Sequence, residues 1–261
     1  MTTGFTVTGI STGLIVPGDD MASRILSVHP DVEENDIVVI AESALATAEG
    51  QIVALDTVDP TGEASRLAAR YAMDPRLVQV VLEESDRVVG GIPGFLLCMK
   101  DQTLLPNAGV DGSNAPPGTV ILLPKDPSRS ARRIREEIER RTGARVGVVI
   151  ADSRTHAMRL GCSGVALGCS GLRSVIDERG RPDLFDRPLE ITKRAVADCI
   201  ASAAELVMGE SDECIPVAVV RGLALPRDGE EGIGGIDPSE CLFMGVALDA
   251  NPSLGDRESE P

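Results

Sequence analysis

Asp111 stands in the glycine-rich bend Asn107-Ala-Gly-Val-Asp111-Gly-Ser113-Asn114, and Asp152-Ser153 follows the apolar run Val146-Gly-Val-Val-Ile150. Each stretch sets a carboxylate beside a small hydroxyl or amide side chain. Two oxygen-rich loops with little histidine suit a hard cation such as Mg²⁺ or Mn²⁺, which commonly also holds phosphate. The plainer reading makes Asp111-Gly112 a turn and Asp152 a helix cap.

Residues so far apart in the chain need a scaffold to bring them together. Val146–Ile150 reads as a buried strand, which puts Asp152 just past its carboxyl end, where open α/β sheets hold ligands. Helical and extended signals alternate along the rest of the chain. Strands are expected at Phe5–Val7, Ile37–Ala41, Thr119–Leu123 and Val217–Val220, with extended chain around Val88–Met99. Asp19-Asp20 can cap a helix running to about Val28. Helices are also read over Glu63–Tyr71, from Asp74-Pro75 onward, and after Ser128-Arg-Ser130, where Ala131, Ile134 and Ile138 share a face. A long helix over Ile191–Met208 would turn Ala195, Cys199, Ala203 and Leu206 inward. The fold class is α/β, of the mixed α+β kind. Residues 1–248 form one large domain or two intimate lobes, and 249–261 are a polar, frayed tail.

The glycines of Gly161–Gly171 could cradle a phosphate through backbone N–H groups. They match neither GxxxxGK[ST] nor GxGxxG, and close backbone packing is the commoner reason for such glycines.

Composition excludes several classes. Hydrophobic residues make up 43% of the 261, enough for a real core. Aromatics are only 2%, too few for a binder that stacks bases, and the net charge of -16 repels a phosphate backbone. Nucleic acid is therefore not an expected partner. A nucleotide is still allowed, because a divalent ion neutralises its phosphates locally. Six cysteines without a C-x-x-C pair, and two histidines, argue against zinc and for reduced thiols in the cytoplasm. The N-terminus has no basic region or long apolar core, and no apolar run approaches the roughly 18 residues of a membrane span.

Many short motifs in one order now bear on the chemistry. They are Gly18-Asp-Asp20, Ala48-Glu-Gly50, Leu82-Glu-Glu-Ser85, Asn107–Asn114, Leu123-Pro124 with Asp126-Pro127 and Ser130-Ala131, Val146–Ile150 with Asp152, Ala195-Val-Ala-Asp198, Met208-Gly-Glu210, and Pro216–Gly222. Over residues 5–223 the chain resembles the coenzyme F-420-0:L-glutamate ligases, or γ-glutamyl ligases. The resemblance implies that fold, and an amide-forming ligase that uses GTP or ATP to activate a small-molecule carboxylate as an acyl phosphate. The amine of an amino acid, L-glutamate in the family, then displaces phosphate. It also implies Mg²⁺ or Mn²⁺, K⁺ in some members, and a homodimer.

By motif match, Asp111 and Asp152 would hold one ion, and Ser153 with Glu210 a second. Asn114, Glu42, Ser43 and Thr47 fall on nucleotide-binding positions. Thr12, Gly13, Leu14 and Ile15 fall on a loop around the nucleotide, as do Met208, Gly209 and Glu210 within Met208–Ile215. The catalytic set would be Asp111, Asp152 and Arg159. Phosphoryl transfer to a carboxylate agrees with this set, since it needs charge neutralisation more than a protein nucleophile.

Some positions depart from the family pattern. Its usual Ser-Lys-Ala-Glu-Gly is here Ala46-Thr47-Ala48-Glu49-Gly50, so a phosphate-facing lysine is missing. Its Gly-Arg pair after the Asp-Thr has become Thr155-His156, and an aromatic has become Met158. Tyr-Gly-Arg has become Phe185-Asp186-Arg187, and Ala-Asp-Glu has become Ala197-Asp198-Cys199. Arg154 or Arg159 is expected to supply the charge lost at Thr47. The departures leave two alternatives beside F-420-0 ligation: a ligase with another acid and amine, and a paralogue that binds nucleotide and metal without ligating. Phosphate release that needs both acid and amine separates the ligases from the non-ligating paralogue.

Overall fold

The computed structural model describes residues 4–101, 103–225 and 231–250. Of the expected tail, residues 251–261 lie outside the described residues. In chain order the elements are β1 (Thr6–Ile10), α1 (Met21–Val28), β2 (Ile37–Ala41), α2 (Glu42–Ala48), β3 (Ile52–Ala54), α3 (Gly62–Tyr71), α4 (Pro75–Glu84), β4 (Arg87–Ile92), β5 (Phe95–Lys100), β6 (Thr103–Pro106), β7 (Thr119–Ile121), α5 (Pro127–Thr142), β8 (Gly147–Thr155), β9 (Cys162–Ser170), β10 (Val175–Asp177), β11 (Lys193–Ala195), α6 (Val196–Met208), β12 (Val217–Arg221) and α7 (Leu242–Ala250). The protein is mixed α/β, and its described residues divide into two compact units: those of 4–52 with 123–234, and those of 53–122 with 235–250.

The first unit is built on a five-stranded sheet of order β1-β12-β2-β8-β9. Only β2 and β8 run parallel; the other neighbours are antiparallel. Strand residues alternate between two faces, and both faces are covered. Val38, Ile40, Val148, Ile150, Val217 and Val219 pack with α1, α2 and α5. Ile37, Val39, Val149, Ala151, Ala218 and Val220 pack with α6. Double coverage explains why β2 and β8 read as unbroken apolar runs rather than alternating ones. At the other end of the sheet, Arg221 Nε and Nη2 donate to the two oxygens of the fully buried Asp36, at 2.8 and 2.7 Å. This bidentate pair ties the start of β2 to the end of β12.

The second unit has the antiparallel meander β4-β5-β6 and the short pair β3-β7. Ala64, Ala68, Val78 and Val81 from α3 and α4 pack with Leu96, Cys98, Val110 and Val120. Thr61 and Asp74 cap α3 and α4 through their side chains.

Several sequence readings are corrected. β8 does not stop before Asp152 but continues to Thr155, because β9 pairs with it antiparallel from Val148↔Ser170 to Thr155↔Cys162. Asp152 therefore lies past the last parallel pair, Ala41↔Ala151, but inside a hairpin. Asp126, not Ser128–Ser130, caps α5: its carboxylate accepts from Arg129 N at 2.9 Å and Pro127 is the first helical residue. Asp20 flanks α1 without a side-chain cap bond. The long helix expected over Ile191–Met208 begins only at Val196, after β11 pairs with β10. Its inward face is Val196, Ala197, Ile200, Ala201 and Ala204, while Cys199 is exposed and Leu206 is 87% exposed.

The glycines of β9 serve packing. A Cβ on Gly164 would come within 2.4 Å of the Ala201 backbone in α6. One on Gly168 would come within 2.6 Å of the Pro127 backbone in α5. These glycines let one helix close onto each face of the strand.

Candidate active site

The strand directions collect four segments at one end of the first unit's sheet. Ile10 pairs with Val217, Val217 with Ile40, and Ala41 with Ala151. The loop leaving β1, the start of α2, the far part of β8 and the loop entering β12 therefore meet at that end. They carry Thr12–Ile15, Glu42 and Ser43, Asp152 and Ser153, and Met208–Ile215 respectively. Ala41 N donates to Pro216 O at 2.9 Å and fastens two of these segments together.

Each side chain has a local reason for its place. Thr12 is buried and donates to Gly13 O at 3.1 Å, while Gly13 takes a positive φ. Leu14 is exposed and Ile15 is core. Glu42 and Ser43 form the first turn of α2, which follows β2 directly and has no side-chain cap. Thr47 is half-buried in the last turn of the same helix. Gly209 ends α6 with φ 74 and ψ -179, a conformation essentially restricted to glycine, which turns the chain into the Glu210 loop.

Ser153 Oγ donates to Glu210 Oε2 at 3.0 Å. Arg154 Nε donates to Asp152 Oδ2 at 2.9 Å. Sequence reasoning did not single out Glu205, which joins this group. Its carboxyl is pushed up to about 7, first by burial, then by a hydrogen bond to Glu210 and by the charges of Glu210 and Asp152. One of its oxygens, Oε2, is buried with no hydrogen-bond partner among the described residues. The signal was present in the sequence: Glu205 interrupts the apolar run Ala203-Ala-Glu-Leu-Val-Met208. The exposed Cys162 thiol is raised by burial and by Glu210, Glu205 and Asp152, so it also faces this concentration of negative charge.

Among the described residues, no three His, Cys, Asp or Glu side chains already stand in a metal-holding arrangement. The donor chemistry nonetheless fits a hard divalent cation. The donors are all oxygen, and one buried carboxylate oxygen, of Glu205, lacks a hydrogen-bond partner among the described residues. Adjacent ligands of an octahedral ion bound at about 2.1 Å stand about 3 Å apart, which matches the Ser153–Glu210 spacing.

Arg159 sits in the exposed turn between β8 and β9, where its N donates to His156 O at 3.1 Å. It lies beyond the last hairpin pair, Thr155↔Cys162, whereas Asp152 pairs with Val165. Asp111 and Asn114 belong to the second unit. There Asp111 bridges Ile121, and its Oδ1 accepts from both the N and Oγ of Ser113 at 3.0 Å. Asn114 follows with φ 53. This is the turn geometry expected of Asx residues, with the Asp111 carboxylate on an exposed loop.

A family model for F420-0:Gamma-glutamyl ligase matches residues 9–222. The chain belongs to this family. It is 43% identical over 217 residues to a coenzyme F420:L-glutamate ligase of Methanopyrus kandleri, covering 83% of this chain and 86% of that protein. The corresponding protein of Methanocaldococcus jannaschii is 42% identical over 219 residues, 84% of this chain and 87% of its own length. That of Archaeoglobus fulgidus is 41% identical over 216 residues, 83% and 86%. The chain is an enzyme of the class of ligases that form carbon–nitrogen bonds. Among the described residues, no helix is long and apolar enough to cross a membrane.

Proposed function

We propose that this ligase joins the terminal carboxylate of F420-0 to the amine of L-glutamate at the expense of a nucleoside triphosphate, GTP in the first instance and ATP as the alternative. The carboxylate oxygen attacks the γ-phosphorus and the nucleoside diphosphate leaves. The amine nitrogen then attacks the acyl carbon, a proton is lost, and phosphate departs. Bound Mg²⁺ or Mn²⁺ would neutralise the phosphate charge, and K⁺ would add to it as in some members of the family.

The observation that carries the reading is the Ser153–Glu210 pair beside Asp152, at the sheet end where β2 and β8 finish their parallel pairing. Ser153 and Glu210 would hold one ion. Asp152 would hold another. Arg154 fixes one oxygen of Asp152, so the carboxylate cannot swing freely. Thr12–Ile15, Glu42 and Ser43 stand at the sheet end and would meet the nucleotide, with the Met208–Glu210 loop, and Thr47 of the same helix α2 would add a hydroxyl. The substituted positions Thr155, His156 and Met158 lie on the β8–β9 hairpin, and Cys199 near the start of α6. A different small carboxylate or amine is the variant of this reading that those positions favour.

The test is phosphate release from GTP or ATP with Mn²⁺. It should require both F420-0 and L-glutamate, and mass spectrometry should show the γ-glutamyl amide. Phosphate release that ignores the amine would overturn the reading and leave a nucleotide-binding paralogue. The enzyme is placed in the cytoplasm and taken to be a homodimer. Light scattering at micromolar concentration should give twice the chain mass.

A further inference from the structure

Arg154 stands apart from its neighbours in the β8–β9 hairpin. Ser153 and Thr155 are exposed on either side of it, yet Arg154 itself is only 8% exposed. Its Nε is engaged by Asp152 Oδ2 at 2.9 Å. Its Nη2 is buried and has no hydrogen-bond partner among the described residues. An arginine withdrawn from water with one donor unmet is expensive to keep, because a single carboxylate repays only part of its desolvation. Native proteins rarely leave such a donor unexplained. A planar guanidinium held through Nε presents its remaining N–H groups in a fixed direction, and these match anionic oxygens in geometry and charge. The surroundings are not those of a structural ion pair in a core, because Asp152 and Arg154 lie past the last pair between β2 and β8.

We infer that Arg154 is a binding residue whose free Nη2 receives an anionic oxygen of a substrate, beside the carboxylate of Asp152. The inference rests on the ligase reading of this site. The oxygen belongs either to a phosphoryl group of the nucleotide or to the carboxylate of the acid. Both offer the same chemistry, and the experiment separates them.

The test is calorimetric titration of the wild-type enzyme, Arg154→Met and Arg154→Lys, using Mn²⁺ alone, GTP with Mn²⁺, and F420-0. Arg154→Met should weaken either GTP–Mn²⁺ or F420-0 by about tenfold or more, and Arg154→Lys should weaken the same ligand less, by about threefold to tenfold. Mn²⁺ alone should shift less than that ligand in both variants, and a Mn²⁺ loss as large as the ligand's would assign the effect to the freed Asp152 and overturn the inference. A loss confined to GTP assigns the oxygen to phosphate, and one confined to F420-0 assigns it to the acid. If neither ligand shifts by more than about twofold in either variant, or the wild type binds neither, the inference falls. Arginine side-chain spectra of the wild-type enzyme give the same answer without a substitution. One protected guanidinium signal should move on addition of GTP with Mg²⁺ or of F420-0, and a signal that moves with neither would overturn the inference. Wild-type turnover with no ligand effect at Arg154 would sink the inference and leave the ligase reading standing. A lost ligand affinity in Arg154→Met without amide product from the wild type would do the reverse.

Discussion

Ser153 Oγ reaches Glu210 Oε2 at 3.0 Å across the gap between the β8–β9 hairpin and the loop after α6. The two residues lie far apart in the chain, and the contact exists because two other features bring them together. Gly164, opposite Ser153 in the hairpin, lets α6 pack against β9 without a Cβ between them. Gly209 then turns the chain back toward the hairpin as α6 ends.

If this pair binds a divalent ion, Glu210→Gln should weaken Mn²⁺ by about 10- to 100-fold or more, since losing even an outer-shell partner of a metal ligand costs that much. Ser153→Ala removes a neutral oxygen and should cost about 1 kcal/mol, roughly fivefold. Both variants should melt near the parent temperature, since both residues are exposed. Manganese electron paramagnetic resonance reads the affinities. Parental affinity in both variants would assign the pair to a plain surface hydrogen bond.

How far the sequence announced this site depends on where packing takes over from local pattern. β2 was legible residue for residue, because Ile37–Ala41 is a pure apolar run. The β8 extension was not. Asp152, Ser153 and Arg154 are polar, and only pairing with β9 keeps them extended. The α6 face was misplaced for a similar reason. Ala197, Ala201 and Ala204 are buried because Gly164 admits the helix backbone, and alanines carry too weak an apolar signal to show which side faces in. The Asp152–Ser153 motif could be read as chemistry. Glu205 showed only as a break in an apolar helix run, since its partners Glu210 and Asp152 reach it through the fold. Arg154 was legible only as spare positive charge, not as a buried residue.

Glu205 gives the protein a pH signature. Its folded carboxyl titrates at about 7, against the ordinary glutamate value of 4.5. Between those values the unfolded chain has released the proton and the folded chain keeps it. Stability contributed by this group is therefore full below 4.5 and declines as pH rises towards 7. Glu205→Gln should flatten the melting temperature across that interval and leave the variant more stable than the parent on the alkaline side. Saturating Mg²⁺ should flatten the parent in the same way, by compensating Glu210 and Asp152. Scanning calorimetry in a pH series checks both, and parallel profiles for parent and variant would contradict the assignment.

Gly164→Ala tests the packing that supports the site. The new Cβ would lie 2.4 Å from the Ala201 backbone, and backbone cannot rotate out of the way as a side chain can. A destabilisation of about 1–3 kcal/mol is expected, as for other overpacked positions. Activity should fall together with stability, because α6 must shift and carry Gly209 and Glu210 with it. Gly180→Ala is a poor control, since its φ of 82 is strained in any L residue, whereas Gly62, with nothing within 4 Å, serves well. Urea unfolding of Gly164→Ala beside Gly62→Ala should show the loss in the first variant alone.

The last prediction concerns the charge missing at Thr47. This residue is half-buried in the final turn of α2, the helix that starts at the sheet end gathering Thr12–Ile15, Ser153 and Glu210. A threonine there can give a nucleotide only a neutral hydrogen bond, worth roughly 0.5–1.5 kcal/mol against roughly 1.5–3 for a bond to a charged group. Thr47→Lys should therefore tighten GTP by about tenfold, or ~1.4 kcal/mol. Arg159 would have to reach the phosphates from the exposed turn beyond the last β8–β9 pair to make that lysine superfluous. Arg159→Ala should consequently change GTP affinity by no more than about twofold. Fluorescence titration with a labelled nucleotide reads both numbers. If Thr47→Lys brings no gain while Arg159→Ala loses an order of magnitude, the hairpin turn already supplies the charge, and the substitution at Thr47 is compensated rather than a loss.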